Sequence, residues 1–98
     1  AGENRMVLRS ATATAAWYEF DTSTTARWLV GKDATAEGGA NAGSDFSISR
    51  MNDAGTLIAT PFKIKRSTGV ITLSELPTSA GGLSAGNIWS NGGVLTVV

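Results

Sequence analysis

The chain has 98 residues, with 8 Lys+Arg against 8 Asp+Glu and neither histidine nor cysteine. A chain of that length forms one small domain with a marginal core unless disulfides, metals or oligomerisation assist it, and the missing residue types rule out disulfides, thiolate metal sites and the commonest transition-metal ligand. Balanced charge without a run of one sign excludes the electrostatic footprint of a nucleic-acid binder, and no apolar run approaches the roughly 18 residues of a membrane span.

Ser, Thr, Gly and Ala dominate while Lys and Glu are scarce, which suits short strands and tight turns better than exposed helices. "RMVLRS" (5–10) is a candidate opening strand, and "ATATAA" (11–16) is ambiguous. "WYEFDT" alternates, with Trp17 and Glu19 on one side and Tyr18 and Phe20 on the other. "DTSTT" (21–25) is a turn signal and "ARWLVGK" (26–32) a second strand, so 15–20 and 26–31 read as a hairpin. "KDATAEGGANAGS" (32–44) is a long loop, of the kind that carries function when ordered. Lys32, Asp33, Glu37 and Asn41 are its candidate surface-contact residues.

"DFSISRM" (45–51) alternates cleanly, with Phe46 and Ile48 facing one way and Asp45, Ser47 and Ser49 the other. A tight turn follows at 51–56, with Gly55 in a left-handed position and Asp53 bonding turn backbone. "TLIATPFKIKR" (56–66) is strand, with Pro61 at an edge or a break and Lys63, Lys65 and Arg66 on a solvated face. A turn at 66–70 with Gly69 leads into strand 70–76, then a connector rich in breakers at 77–86. "NIWSNGGVLTVV" (87–98) closes the chain as a hairpin turning at Asn91-Gly92. About seven to nine strands at this spacing give an all-β, antiparallel fold, a small sandwich or a prism-like bundle of sheets, with no helical stripe. One β-rich domain over 1–98 is expected.

Catalytic and cofactor chemistry finds little support. "GGANAGSD" (38–45) has the outer glycine spacing of a phosphate loop but lacks the lysine that follows it. Asp33, Glu37 and Asp45 lack EF-hand spacing, the carboxylates sit at turns and wet strand faces, and no histidine serves the many hydroxyls as base. No catalytic residue, cofactor or metal is expected. Trp17, Trp28 and Trp89 lie in apolar strand patterns, which favours core or interface over sugar stacking.

The block 27–73 resembles a segment that recurs in tail fibres, tailspikes and related structural proteins of tailed bacteriophages. The matching features are Arg27-Trp28, Gly31-Lys32, Glu37, Gly39, Asn41, Gly43-Ser44-Asp45-Phe46, Ile48, Arg50, Asp53, Gly55, Pro61, Ile64, Arg66 and Thr68-Gly69. Met51 departs from the pattern, standing where an aromatic often follows the arginine. "LPTSAGGLSAGNIWSNGGVLTVV" is similar to endings of phage virion proteins. The resemblance implies a non-enzymatic virion component, made in the bacterial cytoplasm and β-rich. It also implies a homotrimer whose partners are its own copies, other virion proteins and a bacterial surface glycan, with no nucleic acid and no membrane insertion. A tail-fibre or tailspike segment contributing to host attachment is the leading expectation. A capsid or collar decoration protein and a fragment of a polysaccharide-degrading tailspike are the alternatives. A chain opening at Ala1 fits an excised segment of a longer fibre protein. In a trimer the apolar ending, Ile88, Trp89, Val94, Leu95 and Val97, is expected at the oligomer interface, with 77–98 as connector and interface hairpin.

Overall fold

Seven strands form where the alternating segments find partners: β1 (Ala16–Thr22), β2 (Thr25–Lys32), β3 (Phe46–Met51), β4 (Leu57–Ile64), β5 (Ile71–Leu73), β6 (Ile88–Asn91) and β7 (Val94–Val97). They are seen in a computed structural model, which describes residues 2–98. The described residues contain no helix. Strands β1 to β5 make one antiparallel sheet in chain order, and β6 and β7 make a separate two-stranded ribbon.

Turn chemistry sets this meander. Thr22 pairs with Thr25 around Ser23, which takes φ 54°. Between β3 and β4 the turn is built by Asn52 rather than Asp53: its Oδ1 accepts from Ala54 N and Thr56 N, each at 2.9 Å. Asn52 sits two residues before its first donor, the spacing at which an Asx side chain mimics a backbone turn, so the sequence-based choice of Asp53 is corrected. Gly55 and Gly69 take positive φ, as expected of their turns. The final hairpin turns one residue later than Asn91-Gly92. Asn91 pairs with Val94, and Gly92 and Gly93 form the loop with φ 58° and 92°. Two glycines meet the two positive φ values of such a loop at less steric cost than Asn-Gly.

Two expected strands are missing or short. Residues 5–10 form no strand because no partner lies alongside them, and Met6, Val7 and Leu8 stay exposed. Strand β5 stops at Leu73 instead of running to 76. Ser74 N still donates to Pro61 O at 3.3 Å, but Pro61 has no N–H to return, so the ladder ends there. The register also shifts between Ile48 and Arg50, opposite Thr60 and Pro61, which places the proline at a bulge.

The sandwich does not form within one chain. No strand of the ribbon contacts the five-stranded sheet, and the connector between them holds the ribbon through bonds such as Ser90 N to Pro77 O at 2.8 Å. The sheet is therefore a single layer, and no apolar residue among the described ones is buried. The shape follows from this. The radius of gyration is 16.4 Å, against about 13 Å for a compact chain of this length.

Candidate functional site: an uncovered apolar sheet face and a tied acidic loop

Cross-strand partners share a face, so the register defines two surfaces of the sheet. One row runs Tyr18, Val30, Ile48, Phe62, Leu73 across all five strands. A second row on the same face runs Ala16, Lys32, Phe46, Ile64, Ile71, and a third runs Phe20, Trp28, Arg50, Ala59. This face is almost wholly apolar and no second sheet lies on it: its central Val30, Ile48, Phe62 and Ile64 are half-buried, while on the edge strands Phe20 is 55% exposed and Ile71 57%. The N-terminal segment approaches it, where Leu8 lines a groove of about 360 Å³ beside Tyr18, Val30 and Phe46. Its charges are Lys32, whose Nζ lies 3.5 Å from Ala11 O, and Arg50. Arg50 is held by Glu75 through a two-pronged pair, Nε to Oε2 and Nη2 to Oε1, both 2.6 Å.

The opposite face carries the small polar residues. Asp45 is 5% exposed, Ser47 2% and Ser49 4%, and these are the buried polar groups among the described residues. Ser47 and Ser49 lie on the floor of a groove of about 430 Å³, walled by Trp17, Leu29, Met51 and Leu57. Ser49 Oγ and Thr60 Oγ1 bond at 2.9 Å. Phe46 and Ile48 thus lie opposite Asp45, Ser47 and Ser49, as the alternation of β3 predicts, but the polar set is the buried one, with Ile48 half-buried and Phe46 exposed.

The long loop between β2 and β3 is tied down rather than free. Asp33 N donates to Asp45 O and Ser44 N to Thr35 O, closing its base. Arg66 reaches in from beyond β4 and donates from Nε to Gly43 O at 2.8 Å and from Nη2 to Ala42 O at 2.9 Å. Its guanidinium also lies 3.6 Å from Glu37, whose Oε1 accepts from Ser44 Oγ. Lys63 sits 3.4 Å from Asp33 and 3.7 Å from Asp45, so it pairs with both carboxylates while its side chain stays partly solvated. Of the four contact residues expected here, Asp33 pairs with Lys63, the exposed Glu37 lies beside the guanidinium of Arg66, Lys32 belongs to the apolar face, and Asn41 is exposed at the loop tip with φ 63°. No group of three or more His, Cys, Asp or Glu among the described residues is placed to hold a metal.

The residues expected at the oligomer interface divide between the two faces of the ribbon. Ile88, Leu95 and Val97 share one face, Trp89 and Val94 the other. All but the half-buried Trp89 are exposed. No described helix is long and apolar enough to cross a membrane.

Electrostatics make the tied loop acid-sensitive. Partial burial pushes the Asp33 carboxyl up, but hydrogen bonds from Thr35, the Lys63 charge and the Asp45 N–H outweigh it and hold the group below its ordinary value. Hydrogen bonds from Arg50 hold Glu75 low as well. A lowered folded pKa gives stability that is complete above the unfolded value and lost as pH falls through the folded one. Glu19 runs the other way, raised by its hydrogen bond to Asp21 and by that residue's charge. With two carboxylates against one, the melting temperature is expected to fall once pH drops below about 4. It should stay flat between about pH 6 and 8, where an unperturbed histidine would titrate. Thermal melts across that range check both statements, and a steady rise on acidification would refute the first.

Glu19 and Asp21 are the one carboxylate pair whose interaction raises a pKa, the signature sought for acid–base catalysis. Both are exposed on edge strand β1 and line neither groove, so the environment that would separate two catalytic roles is missing there. No protein-family model matches the chain, and no curated protein matches it significantly.

Proposed function

We propose that the chain is a non-enzymatic structural segment of a tailed-bacteriophage virion, of the trimeric tail-fibre or tailspike type, contributing to host attachment. One observation carries this reading. Among the described residues of this 10.1 kDa protein no apolar side chain is fully buried, so a single copy has a marginal core. A fibre segment is completed by its own copies, and closed symmetry lets each copy bury surface it cannot bury alone. The virion part of the proposal rests on the resemblance of residues 27–73 alone. In the assembly the C-terminal ribbon packs on its symmetry mates, and the loop tip at Asn41 faces outward to a bacterial surface glycan.

The function is tested by passing the full chain over immobilised bacterial surface polysaccharides. The expected result is retention on one polysaccharide, at least tenfold weaker for Asn41→Ala, with no reducing ends released. Release of reducing ends would contradict the non-enzymatic role. Binding to purified capsids without binding to any polysaccharide would replace host attachment by decoration of the particle.

A further inference from the structure

We propose that residues 5–10 close onto the free edge of β1 as a sixth strand of the same chain's sheet, an arrangement alternative to the open one seen. This pairing lies within one chain and is independent of copy number and of the virion reading.

Strand β1 is the outermost of its sheet, so one side of its backbone has no partner strand. Such an edge is a template for an extended segment that reaches it. Its side chains set what fits. Alternation along β1 puts Tyr18 and Phe20 on the apolar face and Trp17, Glu19 and Asp21 on the other. Glu19 and Asp21 are exposed and ion-paired to no described residue. A matching strand therefore carries apolar residues on one side and basic residues on the other.

Residues 5–10 have that pattern. Met6 and Leu8 fall on one side, and Arg5, Val7 and Arg9 on the other. Antiparallel pairing of Leu8 with Tyr18 sets Met6 opposite Phe20 on the apolar face. The same register sets Arg5 opposite Asp21 and Arg9 opposite Trp17, with Arg9 also diagonal to Glu19. Val7 falls opposite Glu19, between the two arginines. A slip of one residue would put both arginines on the apolar face, so the pattern specifies the register.

The segment already lies near this position. Leu8 lines the groove beside Tyr18. The chain reverses between the two segments: Thr14 N donates to Ala11 O at 3.3 Å, Ser10 Oγ to Thr14 O at 3.0 Å, and Ala13 takes φ 58°. The loop left by the pairing, residues 11–15, has a length common in hairpins. In the open arrangement Met6 is 89% exposed and Arg9 is ion-paired to no described residue. Arg5 pairs with Glu3, an exposed contact that holds it weakly. Closure packs Met6 on Phe20, exchanges Glu3 for Asp21 and gives backbone partners to the outer N–H and C=O groups of β1.

The protein has no cysteine, so introduced thiols report only their own positions. Under mild oxidation, the full-length chain carrying Met6→Cys and Phe20→Cys is expected to form an intrachain disulfide at least tenfold faster than one carrying Met6→Cys and Glu19→Cys. The first pair stands directly opposite in the proposed register, at a spacing a disulfide spans, and the second points to opposite faces. Adding Arg5→Asp to the first pair should slow the link at least threefold, and Asp21→Arg should then restore it. Equal rates for the two pairs overturn the proposal. So does a link formed chiefly between chains, which gives the edge to a second copy. An unchanged rate with Arg5→Asp overturns it too, since Arg5 would then not face Asp21. Should the double-cysteine chains fail to fold, amide exchange in the unsubstituted protein decides. Residues 5–9 are expected to exchange at least tenfold more slowly than residues 2–4, and equal exchange overturns the proposal.

Discussion

Alanine at position 43 is expected to lower stability by about 3 kcal/mol or more, roughly 15 °C in melting temperature. Gly43 takes φ +83°, a left-handed conformation that side chains rarely adopt, and a Cβ there would stand 2.2 Å from Ala36 O and 2.7 Å from Glu37 N. Those atoms are backbone and cannot swing aside. Relief requires the loop to open, and opening would pull Gly43 O away from Arg66 and Ser44 N away from Thr35. The corner joining β2 to β3 would then lose the bonds that hold Asp33 and Asp45 against Lys63. Gly38→Ala is the control: nothing lies within 4 Å of its Cβ position. Thermal or urea melts of both variants check this, and a Gly43→Ala protein that melts like the parent would show that the loop is not the rigid corner described.

Removing residues 87–98 is expected to cost the protein at least about 5 °C in melting temperature and part of its assembled mass. The expectation is informative because the ribbon contacts no strand of its own sheet. In an isolated chain its loss would leave the sheet's bonds intact. A loss of stability therefore reports contacts between copies, made by Ile88, Leu95 and Val97 on one face or Trp89 and Val94 on the other. Unchanged mass and melting temperature after truncation following Gly86 would take the ribbon out of the interface.

Much of the fold was legible in local residue patterns. The alternation in 45–51, the glycines of the turns at 55 and 69 and the breakers at 77–86 placed five antiparallel strands and a closing hairpin, because each depends on neighbours within a few residues. What failed depended on partners distant in sequence. "RMVL" has strand composition but lies alongside no strand, and β5 is cut short by a proline on the adjacent strand. The hairpin register was missed by one residue because Asn91-Gly92-Gly93 offers two overlapping turn signals.

The site was legible in part. Alternation separates the faces of β3 but does not say which is covered. Apolar residues are ordinarily the buried set, whereas here the most buried side chains are Asp45, Ser47 and Ser49. That inversion appears only once the register lines Tyr18, Val30, Ile48, Phe62 and Leu73 into a row with no layer above it. The same holds for the loop. Its residues 34–41 are exposed, as its composition suggests, but the cations that tie its base, Lys63 and Arg66, come from about 20 or more residues downstream and leave no local signal.

Solution mass tests the central claim, that this chain is completed by copies of itself. Light scattering at micromolar concentration is expected to give about three times 10.1 kDa. A species of 10.1 kDa that melts cooperatively would contradict it, since a folded monomer would then need neither the sheet face nor the ribbon covered.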